Sequence, residues 1–366
     1  MVTYLLISGW LAGWILLWRL PALTRRSPTR AHRTSVVIPA RNEADRLPLL
    51  LESLRTQTLP PTEVVVVDDH SSDGTAEAAA AFAGVTVVPA ADMPPGWTGK
   101  SWACTTGVAQ ATGDTLVFLD ADVELAPDAL AALVATWEPH GGLLSVQPHH
   151  HIVRPVEALS LPFNVVALMG LGVGSLVPPR HGWGAAGPCM ITSRAEYEAA
   201  GGHRAVRAAV AEDLALADRF SEAGLPVQIR GGAGDVRFRM YRDLPGIFEG
   251  WSKNVATGAR RTPFLRSIGV GLWITSLLVA LGAVFGGDAV PAVSGLPAVA
   301  ALYAAVALQV GVLGRRVGRF GPAAAAWPVL ALFFVGVFTW SAGRTFLLRQ
   351  VRWSGRTLHL TGGDAG

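Results

Sequence analysis

The residues most able to do chemistry are acidic, and two groups of them stand at the ends of apolar runs. Residues 115–123 read TLVFLDADV, so an apolar stretch delivers Asp120 and Asp122, two carboxylates at i and i+2. Such a pair repels itself unless positive charge lies between its members. Mg2+ or Mn2+, hard ions that take oxygen ligands, can supply that charge while also gripping diphosphate oxygens. Residues 63–75, EVVVVDDHSSDGT, end a second apolar run in Asp68 and Asp69. A carboxylate at that place can accept a hydrogen bond from a base N–H or a ribose hydroxyl, which assigns Asp69 to ligand binding. Ser71, Ser72 and Asp73 read as a cap for the helix that follows. Glu212 and Asp213 open the helical stretch AVAEDLALADRF. Carboxylates there complement a helix dipole, or, for Asp213, take the proton of an acceptor hydroxyl. Lys100 follows a Pro-Pro-Gly-Trp loop and reads either as a point charge for phosphate or as a solvated loop lysine. It and Lys253 are the only lysines in the chain.

These groups need a scaffold that gathers them, and the intervening pattern predicts one. Residues 35–38, 63–67, 85–88 and 115–119 are short β-branched or apolar runs of the kind buried on both faces of a parallel sheet. Between them, residues 43–56 carry leucines at helical spacing and residues 76–83 are alanine-rich. Strand alternating with helix predicts an α/β fold with a doubly wound, mostly parallel sheet, whose ligands collect at the carboxyl ends of the strands. His149, His150 and His151 resemble a metal tract, but no cysteine or further histidine stands at ligand spacing, so they read as an exposed strand or loop. Cys104 and Cys189 match no disulfide framework and read as small buried residues.

The whole chain of 366 residues is 51% hydrophobic and 16% charged, against roughly 25% charged in a typical soluble domain. The deficit falls in the first 20 residues and after Arg266, which predicts a soluble domain fitted with membrane segments. An N-terminal anchor is expected over residues 1–23, its basic flank (Arg25, Arg26, Arg30, Arg33) on the cytoplasmic side. Residues 267–285, 290–314 and 321–343 are uncharged and long enough to cross a bilayer. These segments predict a C-terminal helical region over 266–348, followed by a basic tail, 349–366, and an inner-membrane protein with its catalytic domain in the cytoplasm. The basic clusters lie beside apolar runs, as a membrane surface requires, and no aromatic-studded groove accompanies them, so nucleic acid is not an expected partner. Residues 161–179, apolar but broken by Asn164, read as an interfacial segment near an acceptor entrance.

In order along the chain, VVIPARNE (36–43), VVVDDHSSDGT (65–75), GKSWACTTGVAQATGDTLVFLDAD (99–122) and AEDLALADR (211–219) resemble the family 2 glycosyltransferases of GT-A fold. The likeness spans residues 34–254, and PPGWTGKSWAC (94–104) with FRMYRDLPGIFEGWSKN (238–254) narrows it to the membrane-bound branch acting on carotenoid acids, of diaponeurosporenoate type, or on hopanoid-related lipids. The resemblance implies a UDP-sugar donor held by Pro39, Arg41, Glu43, Asp69 and Asp120, to which the place of Lys100 after its loop adds that lysine, a divalent metal on Asp120 and Asp122, and Asp213 as base. It implies single inverting transfer to a lipid acceptor, with Glu212 and Trp251 as candidate acceptor contacts. The chain departs from the family where Thr105 replaces a common asparagine, and it lacks the Q-x-x-R-W motif of processive polysaccharide synthases. A sugar nucleotidyltransferase would need a glycine-rich first loop, which VVIPARNE is not, and a dehydrogenase would need G-x-G-x-x-G after the first strand. A transporter subunit would need an intramembrane acid or lysine, and the apolar runs contain none.

Overall fold

The computed structural model describes residues 1–179, 184–286, 290, 293–343, 350–353 and 356–359. The chain begins with helix α1 (Val2–Leu16). Strands and helices then alternate: β1 (Thr34–Ala40), α2 (Leu47–Arg55), β2 (Glu63–Asp68), α3 (Thr75–Ala80), β3 (Val85–Pro89), α4 (Gly99–Gln110) and β4 (Thr115–Leu119). Next come β5 (Val123–Leu125), α5 (Ala129–Trp137), β6 (Leu143–Gln147), β7 (His149–His151) and α6 (Leu161–Leu171). After these lie β8 (Cys189–Ser193), α7 (Arg194–Ala199), α8 (Gly202–Ala205), α9 (Glu212–Glu222), β9 (Val227–Gly231) and β10 (Val236–Phe238). The C-terminal third holds α10 (Leu244–Arg261), α11 (Phe264–Gly286), α12 (Leu296–Val317), β11 (Gly318–Arg319), α13 (Trp327–Gly343) and the hairpin strands β12 (Gln350–Trp353) and β13 (Arg356–His359). Two compact units result, one of residues 21–149 and 180–239, the other of residues 1–20, 150–179 and 240–366.

The first unit is built on a seven-stranded sheet in the order β3-β2-β1-β4-β8-β6-β9. β1 runs parallel to β2 and β4, while β8 is antiparallel to both β4 and β6. The apolar runs form strands because both their faces are covered: Val36, Val37, Ile38, Val66, Val67, Leu116 and Val117 have no exposed surface. Helix α4 approaches this sheet closely through a small residue, since a Cβ on Gly107 would lie 2.5 Å from Val37 Cγ1. The chain runs from β1 outward to β3 and then returns to the other side of β1 as β4. That reversal is the topological switch point at which open α/β sheets bind ligands. It puts residues 39–41, 68–69 and 120–122 at one edge.

The segment leading into β1 is tied to the end of α5 by one carboxylate. Glu138 accepts hydrogen bonds from the Thr29 N–H (2.8 Å), Arg30 Nε (3.3 Å) and His32 Nε2 (3.1 Å). The Thr29 N–H first, against an opposing penalty from burial, and then the side chains of Thr29, His32 and Arg30, pull its pKa down to about 2. A depressed carboxylate pKa gives stability that is present above the ordinary value and lost as pH falls toward the folded one. Glu138→Gln is therefore expected to lower the thermal midpoint of detergent-solubilised protein at pH 7, with the gap to wild type closing between pH 4.5 and about 2. A gap that does not change with pH would assign the loss to packing instead.

The second unit is helical. Three of its segments, Phe264–Gly286, Leu296–Val317 and Gly321–Gly343, are long and apolar enough to cross a membrane. The N-terminal segment is shorter than expected: α1 has 15 residues, about 22 Å at 1.5 Å per residue, against a hydrocarbon core of about 30 Å. It is joined to the C-terminal helices by small residues and one amide. A Cβ on Gly9 would lie 2.6 Å from Ser276 Cβ, and one on Gly13 2.5 Å from the Trp273 ring. The Gln309 amide donates to the Trp10 carbonyl (2.6 Å) and accepts from Trp273 Nε1 (3.1 Å). Gly9→Val is expected to cost about 1–3 kcal/mol through overpacking, read as a lower thermal midpoint in detergent. Gly271→Ala, whose Cβ meets nothing within 4 Å, is the control expected not to lower the midpoint, since alanine is the better helix former.

Several expectations are corrected here. Of residues 161–179, the first part is an interior helix: Leu161, Phe163, Val165, Leu168 and Met169 are buried within the helical unit, and Asn164 satisfies its amide on the Ser160 carbonyl (2.9 Å), while Leu176 and Val177 are exposed. The histidine tract forms a strand, one of the two expected alternatives, but it is not exposed: His149 and His151 are half-buried. His150 is fully buried and stacks on Phe320 with ring centroids 5.3 Å apart. The unit boundary expected at residue 254 falls at 239, because α10 packs its Ile247 and Trp251 with Phe163 and Phe334 of the helical unit. Of the expected tail, residues 354–355 and 360–366 and the side chains of the rest lie outside the described residues, as do residues 344–349.

Candidate active site

At the end of β2, the Asp69 N–H bonds the Ala40 carbonyl (2.8 Å), which fixes the carboxylate beside β1. That carboxylate is 8% exposed as a residue and takes Arg41 on Oδ2 (3.1 Å) and His70 Nδ1 on Oδ1 (3.2 Å). Space beside it exists only because residue 99 is glycine: a Cβ there would lie 2.6 Å from Asp69 Oδ2. Asn42 and His70 both adopt left-handed backbone, with φ of 56° and 57°, a conformation uncommon outside glycine and concentrated in residues such as these. The serines and Asp73 of the following turn do more than cap a helix. Ser71 Oγ accepts the Asn42 N–H (2.9 Å), Asp73 Oδ2 the Ala44 N–H (3.1 Å) and Thr75 Oγ1 the Glu43 N–H (2.8 Å). Together they hold the loop after β1. Pro39 lies opposite Val67 in that sheet, and the Glu43 carboxylate pairs with Arg46 (3.2 Å).

Lys100, in the first turn of α4, bridges two other elements. Its Nζ lies 2.7 Å and 3.0 Å from the two oxygens of Asp120, just past β4, and 2.9 Å from Glu212 Oε1 at the start of α9. Burial alone would lower the ammonium's pKa, but Asp120 and then Glu212 outweigh it and hold it well above the ordinary lysine range. Asp122 is different. Among the described residues no hydrogen bond or ion pair is recorded for its carboxylate, and burial, followed by the charge of Asp120, pushes its pKa up to about 7. No group of three or more His, Cys, Asp or Glu side chains stands ready to hold a metal among the described residues. Asp120 and Asp122 would therefore need oxygens from a ligand to complete a coordination shell, and Asp122, whose charge Arg46 and Lys100 offset only in part and without direct contact, fits such a cation.

Asp213 is aimed by two backbone groups. Its Oδ2 accepts the Gly187 N–H (2.9 Å) and its Oδ1 the Leu214 N–H (2.9 Å) of its own helix. Burial first, then the neighbouring Glu212 charge, push its pKa up to about 6, against the opposing pull of Lys100 and the two N–H groups. A carboxylate so placed is ionised at neutral pH and can still accept a proton. Arg41, Asp69, Lys100, Asp120, Asp122, Glu212 and Asp213 all belong to the sheet unit. Trp251 does not. It is 5% exposed in the helical unit, stacks on Phe163 with centroids 5.0 Å apart and donates Nε1 to Ser160 Oγ (3.1 Å). His70 and Gly187 complete the site and were not expected. The position after Asp68-Asp69 was a legible signal for His70, but nothing in the sequence marked Gly187.

The sequence model of glycosyl transferase family 2 matches residues 35–158. The 4,4'-diaponeurosporenoate glycosyltransferase of Staphylococcus aureus (strain USA300) is 35% identical over 329 residues, 88% of this chain and 87% of that one. The mannosyltransferase PcManGT from Pyrobaculum calidifontis, solved in complex with GDP-Man and Mn2+, superposes with a TM-score of 0.54 at 19% identity, covering 95% of this chain and 100% of that one. The archaeal likeness is one of fold; the staphylococcal one, extending over most of both chains, places this protein among the family 2 glycosyltransferases of GT-A fold.

Proposed function

We propose that this enzyme transfers one sugar from a UDP-sugar to a lipid acceptor of the carotenoid, hopanoid or polyprenyl kind, with inversion at the anomeric carbon and with Mg2+ or Mn2+ as cofactor. The observation that carries the reading is Asp213, a half-buried carboxylate held by two N–H groups with its pKa raised to about 6. Asp69 accepts a hydrogen bond from the base or ribose of the donor, beside Arg41. Lys100 contributes positive charge toward the diphosphate. Bound by Asp122 and Asp120, a divalent cation supplies charge neutralisation for the nucleotide diphosphate as it departs. Asp213 takes the proton of the acceptor's O–H while that oxygen bonds to the anomeric carbon and the bond to the diphosphate breaks. The proton ends on Asp213 and the electron pair on the leaving UDP.

Two observations support a lipid acceptor and an inner-membrane enzyme with its catalytic unit in the cytoplasm. Three helices are long and apolar enough to cross a bilayer, and the staphylococcal relative is named for a carotenoid acid. The test is a membrane-fraction assay with radiolabelled UDP-sugars and extracted lipids. Label is expected in the organic phase, in a product whose anomeric configuration is opposite to that of the donor. Label that stays in water with every UDP-sugar, or a product of retained configuration, overturns the proposal.

A further inference from the structure

Lys100 brings a fixed positive charge to the place where the reading above puts a cation. Its ammonium engages both oxygens of Asp120 and reaches Glu212 from the same nitrogen. Asp122, two residues on, has no recorded hydrogen bond or ion pair among the described residues. The donor-free protein thus holds one committed carboxylate and one uncommitted carboxylate where two would have to act together. An ammonium on the first both occupies its lone pairs and repels a second cation.

We infer that Lys100 is a resident counter-ion that makes metal binding conditional on the nucleotide diphosphate. The ammonium must leave Asp120 for the diphosphate before Asp120 can join Asp122 on a divalent ion. Glu212 keeps the lysine tethered during that exchange, because its contact lies on the α9 side and not at the end of β4. The side chain is free to make the move: it is 31% exposed, while its helix is anchored through the buried Ser101, Ala103 and Cys104. The order of events follows, with metal alone binding weakly and metal with diphosphate binding well. In the donor-free protein Lys100 is then a positioning residue acting through Asp120, and it turns to the diphosphate only when the donor binds.

This inference rests on the reading of Asp120 and Asp122 as metal ligands, and its test is a binding measurement on the full-length protein in detergent. Free Mn2+ is followed by electron paramagnetic resonance, first without nucleotide and then with UDP. The wild type is expected to bind Mn2+ at least tenfold more tightly once UDP is present. Lys100→Met is expected to bind Mn2+ alone at least tenfold more tightly than wild type, a gain that a merely structural role of the lysine would not produce. Adding Asp122→Asn to that variant is expected to remove the gain. Should Lys100→Met unfold, Lys100→Gln carries the same titration. Binding of Mn2+ alone that is no tighter without the lysine, or a gain that survives Asp122→Asn, overturns the inference. If both titrations behave as expected but no UDP-sugar is used in membranes, the proposed transfer reaction falls and the counter-ion role stands.

Discussion

Asp213→Asn is expected to lower kcat by about 10²–10⁴-fold, the usual contribution of a positioned general base, while the donor KM stays within a few fold of wild type. Asparagine keeps the size of the side chain, and its amide oxygen can still accept one of the two N–H groups now on the carboxylate, from Gly187 or Leu214. The other N–H loses its acceptor, at a cost of about 1–3 kcal/mol, so the thermal midpoint is measured alongside the rate. The pH profile separates a chemical role from damage. With Asp213 raised to about 6, wild-type kcat/KM is expected to climb through that pH and level above it, and the variant is expected to lose the inflection. The stability sign runs opposite to that of Glu138. A raised carboxylate pKa means that ionisation costs folding free energy at neutral pH, a cost relieved as pH falls from about 6 toward the ordinary value of about 3.9. A rate that survives the substitution would remove Asp213 from the mechanism.

Asp122→Asn is expected to be nearly as severe, by a different route. Burial and then the neighbouring Asp120 charge raise its pKa, and the more distant charges of Arg46 and Lys100 offset them only in part. A bound divalent ion contributes several kcal/mol of charge stabilisation to a departing diphosphate, so kcat/KM is expected to drop by about 10²–10³-fold. Chelation is the matching experiment. Removing metal from the wild type should reproduce the loss, and chelator added to Asp122→Asn should change nothing further. Independent, additive losses would show that Asp122 serves something other than the metal.

Much of this site could be read from residue order. Runs such as VVIPA and TLVFL must be buried on both faces, and a buried parallel strand delivers whatever follows it to the ligand edge. The runs that precede Asp69, Asp120 and Asp122 therefore suffice to place all three at the ligand edge. Pairings between distant residues were not legible. β8 (Cys189–Ser193) inserts antiparallel between β4 and β6, and an apolar run announces burial without announcing direction or neighbour. The partners of Lys100 are 20 and 112 residues away, so its neighbours in sequence suggest a phosphate contact or a solvated lysine and neither carboxylate. Apolar segments were also assigned by hydropathy alone, which cannot separate a surface that meets lipid from one that meets other helices. That is why residues 161–179 were expected at an interface although residues 161–171 are packed in an interior.

The excursion of residues 150–179 out of the sheet unit has a consequence for how the chain is made and how it can be cut. β6 ends at Gln147, and its neighbours β8 and β9 lie beyond the excursion. As the ribosome releases the polypeptide, this half of the sheet cannot close until about residue 231 has emerged. By then α6 has been synthesised, while Trp251, Leu313 and Phe334, the residues that cluster with it or with its neighbours, have not. The two units mature as interlocked products of one translation, with neither completed before the other has begun. A soluble catalytic fragment therefore cannot be made by trimming the two ends, because it would keep an orphaned apolar helix in its middle. It requires an internal splice that carries the chain from His149 directly to the strand-β8 side.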